Sequence, residues 1–510
     1  MNFEVRRVIG ADHPSLPGHF PGAPVVPGVV ILDEILAALR EWRQNCHVTI
    51  IPAVKFLVPL KPEQPFTICL SMVQDIENEV EFRCRVGDRV IVEGRLQIRF
   101  GETDLVNAAL SDSPAFEAPP LDPRLALWLK DYPPQVFSER LYQSIELMER
   151  YSIELAIDLL RRLHVNDHLA EWRSVDELCH LLSFQPRFRF ALGWILARLV
   201  ETGCIETRID SDTQFYHLRG APWQPDLERL RKAGLNIDGA NAATLDLLNY
   251  VTALYPAVAC GEQSGDQNLF GAQGVTFWLN YFNNDNLTYA VNNWISAVAA
   301  ADRVAVRAEL RILELGAGAG SATEALLRRL DERGLLPHIT RYLITEPNAF
   351  FRRRGQRELV KQYPDVPMEW GGLDLNLPWA DQGVVPGNFD LVYAVNVLHV
   401  SRDLVFSLNQ ARSSLAGDGW LVIGECLRPY ANQPIYPELM FQILESFTDV
   451  QTHPEIRPNP GFLTADHWRR AFMRAGFARI EVAPDIDGIR QIYPHFFSGA
   501  ICGQNISART

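Results

Sequence analysis

Three sets of residues in this chain have types and spacings suited to chemistry. His19 lies in a proline- and glycine-rich loop, and Asp33 follows fourteen positions later, in an apolar helical stretch that begins near Gly28. An imidazole near its working pKa can take a proton, and a carboxyl group held neutral can give one. A helix N-terminus at Gly28 can offer a backbone N–H to an oxygen that gains negative charge. The second set is LELGAGAGSAT, Leu313 to Thr323, in which an apolar strand runs into Gly316, Gly318 and Gly320. Glycines spaced two apart let the backbone approach a ligand closely, and the helix expected after them presents unpaired N–H donors. The pattern is GxGxG, so a nucleotide-like ligand is expected before a dinucleotide. The third set is His399, in NVLHVSRD, and Glu425, in GECLRP. An imidazole oriented by a carboxylate is a general base.

These residues require particular elements around them. Strands are expected at 311–315, 341–345, 366–370, 389–395 and 420–424, with helices at 322–330 and 404–415 and a closing hairpin at 477–482 and 496–503. In such an open α/β sheet, ligands sit at the carboxyl ends of the strands. Glu346 ends the second strand, about 30 residues after the first, where an acid can accept the two ribose hydroxyls of an adenosine. Asp374 follows the third strand, flanked by Leu373 and Leu375, and Asn396 ends the fourth. His399 and Glu425 lie just past neighbouring strand ends and can meet there. Upstream, five strand-like runs follow the helix at Gly28: 49–54, 56–59, 66–73, 80–86 and 90–100. Val29, Leu32, Asp33, Leu36 and Leu39 are expected to line one face of that helix, with Glu34 one step round as the surface acid. Residues 101–134 read as an interdomain linker. Residues 135–305 read as helical and winged-helix-like, with a two-stranded wing at 204–209 and 214–218. The whole is an α+β first domain at 1–100, a helical middle, and a Rossmann-like α/β domain at 306–510.

Composition narrows the function classes. The chain has 510 residues, 47% hydrophobic and 22% charged, which is ordinary for a globular protein with several cores. Its formal net charge of −14 argues against general nucleic-acid binding. Arg187, Arg189 and Arg198 in the winged-helix-like region are then expected on a solvated face of a packing module. Eight cysteines are scattered without a CxxC pair, which points away from a metal site and from a disulfide framework. No apolar run is long enough to span a membrane, and no signal-peptide core follows the N-terminal arginines, so a cytoplasmic protein without a membrane partner is expected.

Residues 19–28, His-Phe-Pro-Gly-Ala-Pro-Val-Val-Pro-Gly, with Asp33 on the following helix, resemble the signature of bacterial 3-hydroxyacyl-thioester dehydratases of the hot-dog superfamily. PGVVILDE is similar to the small dehydratases of aryl-polyene-type pathways. The resemblance implies a hot-dog fold, catalytic His19 and Asp33, and an oxyanion donor at Gly28. It also implies a homodimer, because the His and the acid of one such site usually come from two hot-dog units. A hot-dog thioesterase is the other enzymatic reading of this domain. Glu314 with the glycine loop resembles the first motif of class I S-adenosylmethionine-dependent methyltransferases. That resemblance makes Glu314, Gly316, Gly318, Gly320, Glu346, Asp374, Leu375 and Asn396 the cofactor site, with Asp374 at the adenine amine.

The His399–Glu425 arrangement resembles the dyad of polyketide-synthase carbon methyltransferases, in which the histidine deprotonates C2 of a 3-oxoacyl carrier thioester. The aromatic-rich segment Phe277 to Trp294 resembles their lid and offers Tyr289 as a substrate-positioning phenol. The resemblances together imply a two-activity enzyme of polyketide or fatty-acid-like biosynthesis. It would C-methylate a 3-oxoacyl group on a separate acyl carrier protein and dehydrate the 3-hydroxyacyl product, with an external ketosynthase and ketoreductase. Arg83, Arg85, Arg89, Arg95 and Arg99 are candidates for a carrier-docking face. The alternative is an O-methyltransferase acting on a phenol or hydroxyl, with Asp403 orienting His399 and the hot-dog domain as an accessory. His453 and His495 have no evident partner and read as structural.

Overall fold

Alternation of apolar and polar residues in the first hundred positions builds one antiparallel sheet. The computed structural model describes residues 2–11, 25–43, 46–73, 79–100, 113–220, 222–271, 274–305 and 307–506. The chain divides into two compact units, Met1–Ala109 and Leu110–Thr510. In the first, strands β1 (Asn2–Arg7), β2 (Cys46–Phe56), β3 (Phe66–Met72), β4 (Glu79–Val86) and β5 (Arg89–Phe100) pair in the order β1-β3-β4-β5-β2. Every second residue of β3 and β4 is buried: Phe66, Ile68 and Leu70, then Val80, Phe82 and Cys84. That period of two gives the sheet one dry face. The helix Gly28–Trp42 packs on it.

The two upstream strand runs expected at 49–54 and 56–59 form a single strand, β2, followed by loop. The helix also turns a different face to the sheet than its apolar spacing suggested. Val30, Ile31, Ile35, Ala38 and Leu39 are buried, Val29 is exposed, and Leu32 and Leu36 are half-buried. The apolar run from Val29 to Leu32 is continuous, so periodicity alone could not choose the inward face. The arginines expected to serve carrier docking are partly engaged within the sheet: Arg83 with Glu81, Arg85 with Glu4 and Arg95 with Glu79.

In the second unit, helices Glu139–Arg162, Val175–Leu181 and Arg189–Val200 precede β7 (Ile205–Asp210) and β8 (Thr213–Leu218), with β6 (Arg173–Ser174) completing a three-stranded sheet in the order β6-β8-β7. A capping box fixes the start of the second helix: Ser174 Oγ accepts from Glu177 N, and Glu177 accepts from Ser174 N. The arginines of this region are occupied by carboxylates. Arg187 pairs with Glu445 and Arg189 lies 4.0 Å from Asp176. Arg198 is buried against Glu149 and Glu201 rather than solvated. Its neighbours on the helix are almost all apolar and inward-facing, so it is drawn inside with them and must find a carboxylate there.

Helices Leu227–Ile237, Asn241–Ala259 and Leu287–Val304 lead to the large sheet. Its strands are β9 (Leu310–Leu315), β10 (Ile339–Thr345), β11 (Met368–Gly371), β12 (Phe389–Val395), β13 (Leu415–Arg428), β14 (Leu463–Thr464), β15 (Ala478–Ala483) and β16 (Ser498–Gln504). The order is β11-β10-β9-β12-β13-β16-β15, with β14 beside the end of β13. The first five strands run parallel, and β16 and β15 are antiparallel. Strand order reverses between β9 and β12, the place where such sheets open a crevice. One apolar core runs from Leu125 to Cys502, so the helical middle and the sheet domain share it rather than each closing its own.

Two buried carboxylates tie the middle helices to the segment after β13. Glu438 accepts from Trp194 Nε1 at 3.0 Å, from Arg428 Nε at 2.8 Å, and from the N–H groups of Ile435 and Phe462. Glu149 accepts from Tyr436 N at 3.1 Å and pairs with Arg198. Removing one member of such a pair strands the other's charge in the core. Glu438→Leu is therefore expected to lower stability by about 3–5 kcal/mol in denaturant unfolding of the full chain. A loss below about 1 kcal/mol, the scale of exposed pairs, would show the carboxylate to be dispensable.

Candidate active sites

The glycine loop leaves β9 in the left-handed region. Gly316 has φ +60° and Gly318 φ +56°. A Cβ on Gly316 would lie 2.7 Å from the Val397 side chain, so the loops after β9 and β12 touch only because none is there. A Cβ on Gly318 would project into open space. That space is a cavity of about 540 Å³ lined by the glycine loop, the ends of β10 and β12, and two helical segments. Its size suits a cofactor together with part of a substrate.

Glu346 sits at the end of β10, largely buried, and accepts N–H bonds from Gly318 at 2.9 Å and Asn348 at 2.7 Å. Two oxygens offer about four acceptor sites, so one on each remains for a diol. Burial pushes its pKa up, and the two amides pull it back. Asp374 and Leu375 line the same cavity. Asp374 is exposed, with Oδ1 accepting from Asn376 N. Asn396 also lines it, at φ +54°, accepting from Asn292 Nδ2 at 3.2 Å. A non-glycine residue held there is strained, and such strain gathers at functional sites.

Glu314 lies deeper, at 1% exposure, accepting from Thr323 Oγ1 at 3.0 Å and Tyr342 OH at 2.5 Å. Desolvation raises its pKa to about 7 against these two bonds.

His399 and Glu425 meet as their positions past β12 and in β13 require. Nδ1 of His399 lies 2.8 Å from Oε2 of Glu425, with side-chain exposures of 5% and 0%. Oε1 of Glu425 accepts from the backbone N–H groups of Val397, Leu398 and His399 at 3.3, 3.0 and 3.3 Å. A carboxylate on Nδ1 places that proton there and leaves Nε2 as the acceptor. His399 lines the cavity that the glycine loop lines. Asp403 does not orient it: its Oδ1 caps the helix Leu404–Ser414 through Phe406 N.

Tyr289 borders the cavity with its OH 3.0 Å from Ser321 Oγ, and burial raises its pKa. Ser321 was not evident from the sequence, nor were Phe462 and Phe447, whose rings lie 4.5 and 5.9 Å from that of His399. Both phenylalanines come from the segment after β13, where no periodic signal marks them. His495 has a partner after all, Glu146 at 2.5 Å. His453 accepts from Glu455 N within its own loop.

In the first unit His19 lies outside the described residues. Asp33 is exposed, whereas Glu34, expected at the surface, is half-buried and bound by Arg7 at 3.0 Å. The rotated helix face accounts for both. Gly28 opens the helix, which has no side-chain cap, and a Cβ there would lie 2.6 Å from the ring of Phe56.

Comparison with known proteins agrees with this division. Residues 1–95 match the ApeI dehydratase model, and residues 313–421 match a methyltransferase domain model. The chain thus joins a region similar to the ApeI dehydratase to a methyltransferase domain. It is 32% identical over 207 residues to the highly reducing polyketide synthase valA of Aspergillus terreus, covering 39% of this chain and 8% of that protein. It is 28% identical over 303 residues to the polyketide synthase ThaQ of Burkholderia thailandensis, covering 57% of this chain and 13% of that protein. The chain thus spans only a small part of these relatives. Among solved structures, the CurJ carbon methyltransferase superposes with a TM-score of 0.61 at 21% identity, covering 76% of this chain and 97% of that one.

A methyltransferase domain of this kind uses S-adenosylmethionine. The open space before Gly318 and the spare acceptor sites of Glu346 fit its adenosine. Among the described residues no cluster suits a metal ion, and no helix is long and apolar enough to cross a membrane.

Glu314 gives a pH test. Its folded pKa of about 7 lies above the 4.5 of an ordinary glutamate. The folded state therefore holds this proton more tightly, and stability falls as pH rises from 4.5 to 7. The expected fall is about 3 kcal/mol. Glu314→Gln should flatten that part of the stability profile in melts at stepped pH; an unchanged slope would assign the pH dependence elsewhere.

Proposed function

We propose that the second unit transfers a methyl group to C2 of a 3-oxoacyl thioester carried on a separate acyl carrier protein. The observation that carries this is the buried His399–Glu425 pair, opening onto the same cavity as the glycine loop. A carboxylate-oriented imidazole suits the proton of an acidic carbon between two carbonyls. Bound S-adenosylmethionine supplies an electrophilic methyl group. The chain's own residues must then make and hold the nucleophile. Nε2 of His399 takes the C2 proton, and Glu425 stabilises the imidazolium that forms. Phe447 and Phe462 keep water from the imidazole and offer the acyl chain an apolar wall. The Tyr289 phenol, fixed by Ser321, positions the acyl group. Glu346 holds the ribose, while Asp374 and Leu375 meet the adenine.

The first unit dehydrates the 3-hydroxyacyl thioester to the enoyl form after an external ketoreductase has acted on the ketosynthase's product. His19 takes the C2 proton, Asp33 protonates the departing hydroxyl, and the uncapped amide at Gly28 holds the thioester oxygen. Asp33 is exposed, as are Val29 one turn earlier on the same helix and the apolar side chains of Phe56 and Leu57, which supports pairing with a second hot-dog domain.

Mass spectrometry of a carrier-bound 3-oxoacyl substrate tests the first activity. Wild type is expected to add a methyl group from S-adenosylmethionine, with the rate falling about 10²–10⁴-fold in His399→Ala. With a 3-hydroxyacyl substrate, His19→Ala should abolish dehydration while leaving methylation intact. Methylation of a phenol and of no thioester would transfer the assignment to O-methylation. Release of free acid would make the first unit a thioesterase.

A further inference from the structure

The turn that carries His399 is held from two sides. Its N–H groups converge on Glu425. Its carbonyls converge on one guanidinium, Arg457: Nη1 donates to Ser401 O at 2.7 Å, and Nη2 donates to His399 O at 3.0 Å and Leu398 O at 3.3 Å. Arg457 is 1% exposed and sits in a loop closed on itself, with His453 N donating to Arg457 O and Arg457 N to His453 O. Among the described residues no carboxylate forms an ion pair with it, and its Nε has no partner. Burial lowers its pKa to about 10, and the charges of Glu425 and Asp403 oppose that, so it is cationic at neutral pH. A buried guanidinium committed to three carbonyls is a costly way to hold a turn that neutral side chains could hold.

We infer that Arg457 is a positioning residue for the His399 base. It fixes the 398–401 turn through three carbonyls while Glu425 holds the N–H groups of the same turn, and so it fixes the imidazole that the turn carries. The catalytic meaning of the clamp rests on the methyl-transfer reading above, whereas its hold on the turn does not.

The test is single-turnover methyl transfer to a carrier-bound 3-oxoacyl substrate by the full-length protein, read beside S-adenosylmethionine affinity. In Arg457→Met the rate is expected to fall about tenfold with that affinity unchanged. Arg457→Lys keeps the charge without the planar fork, and is expected to lose about fivefold or more in rate. A wild-type rate in either variant overturns the clamp, and so does a loss of S-adenosylmethionine affinity as large as the loss of rate. Should Arg457→Met not fold, Arg457→Lys decides. A wild-type protein that methylates no thioester counts against the proposed reaction; amide hydrogen exchange at residues 398–401, expected to quicken in Arg457→Lys, then still decides the clamp.

Discussion

The side chain of Glu425 is the constraint on which the carboxyl end of the parallel sheet depends. It is fully buried, and its two oxygens meet three backbone N–H groups and one imidazole. Charge-assisted bonds of this kind are strong and directional. They fold the chain after β12 into a tight turn against β13 and fix the histidine's tautomer in the same act. Because Val397 of that turn packs against Gly316, the imidazole and the glycine loop are set at a fixed separation. Small changes in this turn would move the imidazole with respect to the methyl donor, and reaction rates fall steeply with such displacements.

The cavity has two halves of different origin. One half is made by strand ends: the glycine loop after β9, Glu346 after β10 and Asn396 after β12. These come from a regular parallel sheet, where hydrogen-bonded register sets each carboxyl end beside the next. The other half is made by segments with no regular register, the helices around Tyr289 and the stretch between β13 and β14. Buried polar latches replace register there. Glu438 binds Trp194 and Arg428 while Glu149 binds Arg198 and the Tyr436 amide, so the irregular stretch is anchored to long helices. A shared apolar core completes the connection.

The regular elements were legible in the sequence because each is a local pattern. The fourth strand of the sheet domain, 389–395, stands where the apolar run placed it. The GxGxG loop turns through positive φ as its glycines require. His399 and Glu425 could be paired from their places past adjacent strands. Details that depend on rotation or on distant partners were not legible. The apolar run at 29–32 is continuous, so the buried face of the first helix lay undetermined, and Asp33 and Glu34 exchanged their expected exposures. Arg198 looked like a surface charge until Glu149, 49 positions earlier, was placed beside it. His495 gained a partner 349 positions away, and Phe462 came to cover His399 from a stretch without periodicity.

By itself, the sequence determined the order of the two units, the glycine turn, and the residue types that can bind a nucleotide-like cofactor and move a proton. These follow from local backbone preference and from chemistry carried by single side chains. Only the tertiary structure decided that the Glu425 carboxylate serves three amides as well as an imidazole, that Arg457 gathers the carbonyls of the same turn, and that Asp403 is spent on a helix cap. Those outcomes are matters of which buried polar groups find one another. The low-dielectric interior makes an unpaired group expensive, so the partners are fixed by the packing of segments far apart in the chain.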